Sequence, residues 1–213
     1  MFLSTLFTSV ASFTLLTSVF SFAFAKATPF AKATPFAKAT PFAPVTDFNP
    51  DAYVGRWYQA FSDLAVTATF ENSSYCVTAD YGFYPNGTFS VLNRERQYSI
   101  DGPERVIYGW AEQDNGTAAG ELTVHLQTTN FPAPYWIFEL GDQTYNNSFY
   151  TYSIVSDPFH LTLFVLARNL TEFAENDQDH VLQTLQEAGY TNFLNKPSQT
   201  IQEGCTYWEN EFA

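Results

Sequence analysis

Between residues 55 and 168 the chain repeats one pattern eight times: a short alternating segment rich in Phe, Tyr, Val and Thr, then a turn signal. Alternation with a period of two marks strands that bury one face and show the other to solvent. The pattern predicts strands over 55–62, 73–84, 88–98, 104–112, 120–128, 134–141, 149–156 and 161–168. Pro85-Asn86-Gly87 supplies a tight turn between the second and third, and Asn115-Gly116 another between the fourth and fifth. Eight consecutive strands with short links leave unpaired edges unless the sheet closes on itself. The expected fold is therefore all-β: an eight-stranded antiparallel up-and-down barrel. Ahead of it, Asn49-Pro50 resembles a helix cap followed by proline, giving one short turn over Pro50–Val54. After it, an apolar stripe of Val181, Leu182, Leu185 and Ala188 predicts one C-terminal α-helix packed outside the barrel, capped by Asn176 and stopped by Gly189.

The flanking segments say where such a barrel belongs. Residues 1–25 carry no charged side chain, are mostly Leu, Phe, Val, Ser and Thr, and end in Ala23-Phe24-Ala25. That is the pattern of an export signal, although no basic residue follows Met1. N-x-S/T sequons at Asn72, Asn86, Asn115, Asn146 and Asn169 fit glycosylation in a secretory pathway, so the expected location is extracellular. In an oxidising compartment the two cysteines, Cys76 and Cys205, pair by default, with two free thiols as the alternative. A bond between them would close a loop worth about 4–5 kcal/mol in the chain-entropy model. With 9 basic against 22 acidic side chains, the surface repels nucleic acid.

Ala-Lys-Ala-Thr-Pro-Phe occurs at 25–30, 31–36 and 37–42 and holds three of the four lysines. Each proline restricts the threonine before it to extended geometry. Composition favours a linker or removable pro-segment over 26–46; a docking arm with three copies of one motif is the alternative. The organisation is thus a signal at 1–25, the linker, a barrel domain over 47–205, and a tail at 206–213.

Several motifs carry a resemblance to a known family. Gly55-Arg56-Trp57-Tyr58 resembles the Gly-x-Trp signature of lipocalins, and Leu166-Ala167-Arg168-Asn169 their third signature. Cys76-Val77-Thr78-Ala79-Asp80-Tyr81, Pro134-Tyr135-Trp136-Ile137 and Ser153-Ile154-Val155 are similar to strands of the apolipoprotein D-like branch. The resemblance covers about residues 47–205. It implies that Gly55, Trp57 and Arg168 close one end of the barrel, with the arginine over the indole face. Such a contact is worth roughly 0.5–2 kcal/mol. It implies pocket aromatics at Tyr81, Tyr135 and Phe164, with phenylalanine at the last position where the nearest relatives have tryptophan. Side-chain parity adds Leu166 if Arg168 points inward, and Tyr152 is placed in the same set.

The function expected from this resemblance is a secreted carrier of a small hydrophobic ligand (a fatty acid, sterol or pigment-like molecule), with no cofactor, no metal and no catalysis. The alternative is an interaction or coat protein on the same scaffold, or a lipocalin-type enzyme. Ser156, Asp157 and His160 are close in sequence, but without a nucleophile elbow they describe a turn around Pro158. His125, His160 and His180 lack ligand spacing for a metal. In an up-and-down barrel alternate connections share an end. This places Asn86, Asn115, Asn146 and Asn169 at the closed end and leaves the mouth loops apolar, with Leu64, Val66, Phe70, Phe131 and Phe159. Such a rim suits transient contact with a membrane or lipoprotein surface.

Overall fold

A computed structural model describes residues 42–113 and 117–209. The signal segment, most of the repeat, the Asn115-Gly116 turn and the last four residues lie outside the described residues.

Eight antiparallel strands close into a barrel: β1 (Gly55–Ser62), β2 (Ser74–Phe83), β3 (Phe89–Gln97), β4 (Glu104–Gln113), β5 (Glu121–Leu126), β6 (Ala133–Leu140), β7 (Tyr152–Ser156) and β8 (Leu163–Ala167). Neighbours in sequence pair in order, and β1 closes the ring by pairing with both β8 and β2. The alternation of the sequence is what drives this arrangement. One face of each strand joins an inner cluster that includes Trp57, Ala79, Tyr81, Val91, Val124, Ile137, Val155 and Leu166. Burying such side chains gains about 1.5–3 kcal/mol each, so a one-residue slip of register is strongly disfavoured.

The expected capping turn is present over Pro50–Ala52, with Asn49 Oδ1 accepting from Asp51 N at 3.1 Å. At the Asn86-Gly87 turn, Gly87 has φ +84° and Asn86 Oδ1 accepts from Thr88 N at 3.1 Å. A short helix not expected from sequence, α1 (Leu64–Thr69), occupies the first mouth loop, where Asp63 Oδ1 accepts from Val66 N.

The single outer helix predicted from the sequence is two: α2 (Leu170–Asn176) and α3 (Gln178–Glu187). Asn176 is not the cap; its amide donates to Glu172 O. Asn169 caps α2, its Oδ1 accepting from Thr171 N and Glu172 N while its Nδ2 donates to Glu172, and α3, which carries the predicted stripe, starts after Asp177 with no side-chain cap bond. Phe173, Val181, Leu185 and Ala188 pack against Ala60, Phe61, Ile154 and Val165 on the outer wall.

β1 and β2 stay paired only from Gly55 to Tyr58 on β1, and the gap towards the mouth is filled by the C-terminal segment. There β9 (Ser198–Gln199) pairs with Phe61 and Ser62, Cys76 N donates to Ile201 O, and Gln202 Nε2 bridges Gln59 O and Val77 O. The Cys76–Cys205 disulfide fastens this segment to β2. The tail beyond is also engaged: Arg94 and Arg96 lie over the Trp208 ring and Tyr207 packs on Tyr58.

Candidate ligand site in the barrel interior and mouth

The closed end is built around two residues. Trp57 is fully buried and its Nε1 donates to Tyr53 O at 2.8 Å. The Arg168 guanidinium sits 3.8 Å from the centre of the Trp57 ring. Its Nη1 donates to Arg56 O at 2.8 Å, and its Nη2 donates to Val54 O at 2.7 Å and Tyr53 O at 3.0 Å. Ala52 O lies at 3.3 Å from the same nitrogen. Burial lowers the pKa of this side chain to about 10, which still leaves it charged at neutral pH. Gly55, at φ +93°, makes the left-handed turn that carries the chain from this plug into β1.

Tyr81, Tyr135, Phe164 and Leu166 all point into the barrel and join one cluster. Tyr135 Oη lies 2.8 Å from Tyr81 Oη and 2.9 Å from Tyr53 Oη, and Tyr53 Oη donates to Ser153 Oγ at 3.0 Å. Burial raises Tyr53 to about 12 and holds Tyr81 and Tyr135 well above the ordinary phenol value. These phenols therefore offer hydrogen bonds without charge. Tyr53 and Phe48 enter from the segment before β1, where strand parity gives no information, and with Phe89 they fill the closed half.

Tyr152 is not part of this set. The β7–β8 register pairs Tyr152 with Ala167 and Ser153 with Leu166, so Ser153 faces inward and Tyr152 outward. Its hydroxyl donates to Glu139 Oε1 at 2.6 Å, and its ring packs on Phe173 under the outer helices.

Towards the mouth one wall becomes polar, which the sequence reading missed. The inward parity of Phe89 and Val91 continues to Asn93 and Glu95, and Glu95 is paired in register with Arg105 on β4. Arg105 Nη2 meets Glu95 Oε1 at 2.6 Å and also donates to Phe70 O. Gln59, in register with Leu166, donates to Glu71 Oε2 at 2.7 Å. Burial raises the Glu71 carboxyl to about 7, with the Gln59 bond opposing and the nearby Glu95 charge adding to the rise. Asp63, which caps α1, is likewise raised to about 6, mainly by burial. The signal that could have exposed this wall was charged residues at inward parity on β3 and β4.

At the rim, Phe131 is 81 % and Phe159 77 % exposed, and Phe70 and Leu161 are also exposed on the mouth loops. Exposed Phe193 and Leu194 join them, because Leu194 O accepts from Leu64 N and Ala65 N at the start of α1. Val66 departs from the expected bare rim: it is fully buried beneath α1, and Leu64 is half-buried. Asp157 organises the β7–β8 loop by accepting from Phe159 N, Leu161 N and Thr162 N. Ser156 Oγ accepts from Tyr190 Oη and donates to Thr162 O, so Ser156, Asp157 and His160 form no catalytic relay. His125 stacks on Trp110, and His180 bonds Glu139. Among the described residues no group of His, Cys, Asp and Glu could hold a metal ion. Asn72, Asn86 and Asn146 are exposed on loops, whereas Asn169 is half-buried in its capping role.

A plugged narrow end, a closed eight-stranded wall and mouth loops carrying exposed Phe131 and Phe159 define an up-and-down β-barrel. A lipocalin-like domain model matches residues 48–199, and the chain belongs to the lipocalin family. It is 33 % identical to rat apolipoprotein D over 93 residues, 44 % of this chain and 46 % of that protein. It is 34 % identical to the outer membrane lipoprotein Blc of Vibrio cholerae over 120 residues, 56 % of this chain and 64 % of that protein. The matches thus span about half to two thirds of those relatives. Among solved structures, insecticyanin from the tobacco hornworm Manduca sexta aligns with a TM-score of 0.52 at 19 % identity, covering 78 % of this chain and 91 % of that one. That likeness concerns the fold.

Proposed function

We propose that the protein is a secreted carrier that holds a small hydrophobic ligand in the mouth half of its barrel and loads it at a membrane or lipoprotein surface. The observation that carries this reading is the pairing of an apolar stretch of inner wall on β5, β6 and β8 with exposed apolar side chains at the rim. Phe164, Leu166, Leu126 and Tyr135 lie behind the mouth, and Phe70, Phe131, Phe159 and Leu161 surround it. Exposed aromatic clusters of this kind mark contact surfaces. Tyr81 and Tyr135 give the ligand's deep end a hydrogen-bonding floor, and Phe164 and Leu166 give it apolar contact. Secretion is supported by the disulfide, the leader-like residues 1–25 and exposed sequons at Asn72, Asn86 and Asn146. Two relatives whose names place them with lipoproteins and an outer membrane support a lipid-handling role.

Tyrosine and tryptophan fluorescence, titrated with fatty acids of increasing length, tests the reading. Each buried methylene gains about 0.8 kcal/mol, so affinity rises about fourfold per carbon until the chamber is full. Affinity independent of chain length, or no quenching, overturns it. For loading, Phe131→Asp with Phe159→Asp slows ligand transfer from phosphatidylcholine vesicles while leaving affinity in solution unchanged.

A further inference from the structure

The carrier reading leaves the six-residue repeat unused, yet its last residue is visible and seated. The Phe42 ring lies 4.3 Å from the Phe138 ring and within 8° of parallel. It meets His160 at 5.8 Å and 81°, and Tyr190 at 5.8 Å and 66°. His160 and Tyr190 are themselves stacked at 5.2 Å and 15°. Three rings thus form a box for one more, with a parallel floor and two edge-on walls, both favourable aromatic geometries. The box lies on the outer face of the barrel beside the mouth: Phe138 comes from β6, His160 from the β7–β8 loop, and Tyr190 from just after α3. It is firmly built, since Tyr190 is buried and its hydroxyl donates to Ser156 Oγ at 2.6 Å.

Only Ala43 and Pro44 separate Phe42 from a second anchor. Val45 N donates to Ile137 O at 2.9 Å, and Gly120 N donates to Val45 O at 2.8 Å. A Cβ on Gly120 would come within 2.7 Å of the Val45 side chain, so that crossing depends on glycine.

The same five residues, Ala-Lys-Ala-Thr-Pro, precede Phe30, Phe36 and Phe42. Proline limits the backbone before each ring to extended geometry, which lowers the entropy lost on docking. Nothing within the motif distinguishes the three copies. Seating Phe36 with Val45 kept in place lengthens the connection from two residues to eight, and closure entropy grows only slowly with length. Charge favours docking of any copy: the repeat holds Lys26, Lys32 and Lys38, while every acidic residue of the chain lies from Asp47 onward.

We propose that the box of Phe138, His160 and Tyr190 is a binding site for an extended Thr-Pro-Phe peptide, and that the three copies of the repeat are its interchangeable ligands. Occupancy holds the β7–β8 mouth loop through His160, whose backbone sits at φ +57°. The repeat is then a latch with two spare tongues. This inference stands apart from the nature of the ligand in the barrel.

The test is the His160 ring-proton signal in NMR spectra of the full chain, read as the part of its upfield shift due to the Phe42 ring. Phe42→Ala keeps most of that shift because Phe36 takes the place. Phe30→Ala, Phe36→Ala and Phe42→Ala together remove it, and free Ala-Lys-Ala-Thr-Pro-Phe-Ala then restores it saturably, whereas the peptide ending in Thr-Pro-Ala-Ala does not. Loss in Phe42→Ala as complete as in the triple variant overturns interchangeability. Failure of the peptide to restore the shift in a folded triple variant overturns the peptide site. Should the triple variant not fold, Phe42→Ala and Phe36→Ala/Phe42→Ala decide: retention supports the proposal, and loss in either overturns it.

Discussion

Glu71 sets an unusual dependence of stability on pH. Its carboxyl lies inside the mouth, accepts one bond from Gln59, and has its pKa raised from 4.5 to about 7 by burial. A group whose pKa is higher in the folded chain binds its proton more tightly there. Its contribution to stability is fully present below pH 4.5 and is lost as the pH rises through about 7. Each tenfold change in proton affinity corresponds to about 1.4 kcal/mol, so the contribution is about 3 kcal/mol. Asp63, raised to about 6, acts in the same direction. Glu71→Gln keeps an oxygen for Gln59 and removes the charge. The variant should match the native protein in urea melts at pH 4.5 and exceed it by about 2–3 kcal/mol at pH 8. A Glu71→Gln difference that is the same at both pH values would refute the reasoning, because it would show that the buried charge is not the cause.

Two further outcomes follow from contacts already described. Cys205→Ser should lower stability by about 2–5 kcal/mol and loosen the segment over the β1–β2 gap, measured by urea melts and hydrogen exchange at Ile201 and Gln202; unchanged exchange would count against the staple. Arg168→Met should cost about 2–4 kcal/mol in the same melts, since the carbonyls of Val54 and Arg56 lose a charged donor while relief of the buried charge offsets part of the loss. Arg168→Lys should recover little of it, because one ammonium cannot span carbonyls held by a planar fork.

The barrel was legible because strand alternation is a direct record of which side faces the core. The eight expected strands agree with β1–β8 to within about three residues at each end. Tyr81, Tyr135 and Phe164, named by the family resemblance, and Leu166, added by parity, all face the interior, and Arg168 lies over the Trp57 ring as the resemblance implies. Tyr152 was misplaced because its strand is short and its facing depends on a register with β8 that sequence does not display. Phe48 and Tyr53 were missed for another reason: they reach the interior from an irregular segment with no periodicity to read. The extra outer helix was missed because Asn169 starts α2 directly where β8 releases the chain, whereas the expected helix follows as α3 after Asp177. The repeat was assigned to a linker on composition alone, which carries no information about the aromatic box awaiting Phe42.

The C-terminal segment has a consequence for the order in which the molecule is made. Residues 198–202 complete the wall where β1 and β2 part, and their partners, Ala60 to Ser62, Cys76 and Val77, lie more than 120 residues earlier in the chain. During synthesis the first strands must wait with that seam open until residues 198–202 have emerged. Contacts so distant in sequence form slowly, because chain entropy is lost before they reward it. For that interval the inner face of β1 and the unpaired end of β2 are exposed as a sheet edge, the element most prone to pair with the wrong neighbour. Cys76 cannot meet Cys205 earlier, so disulfide formation reports the moment of closure. A nascent chain halted before residue 198 should carry a free Cys76 thiol and be held by chaperones as an open sheet.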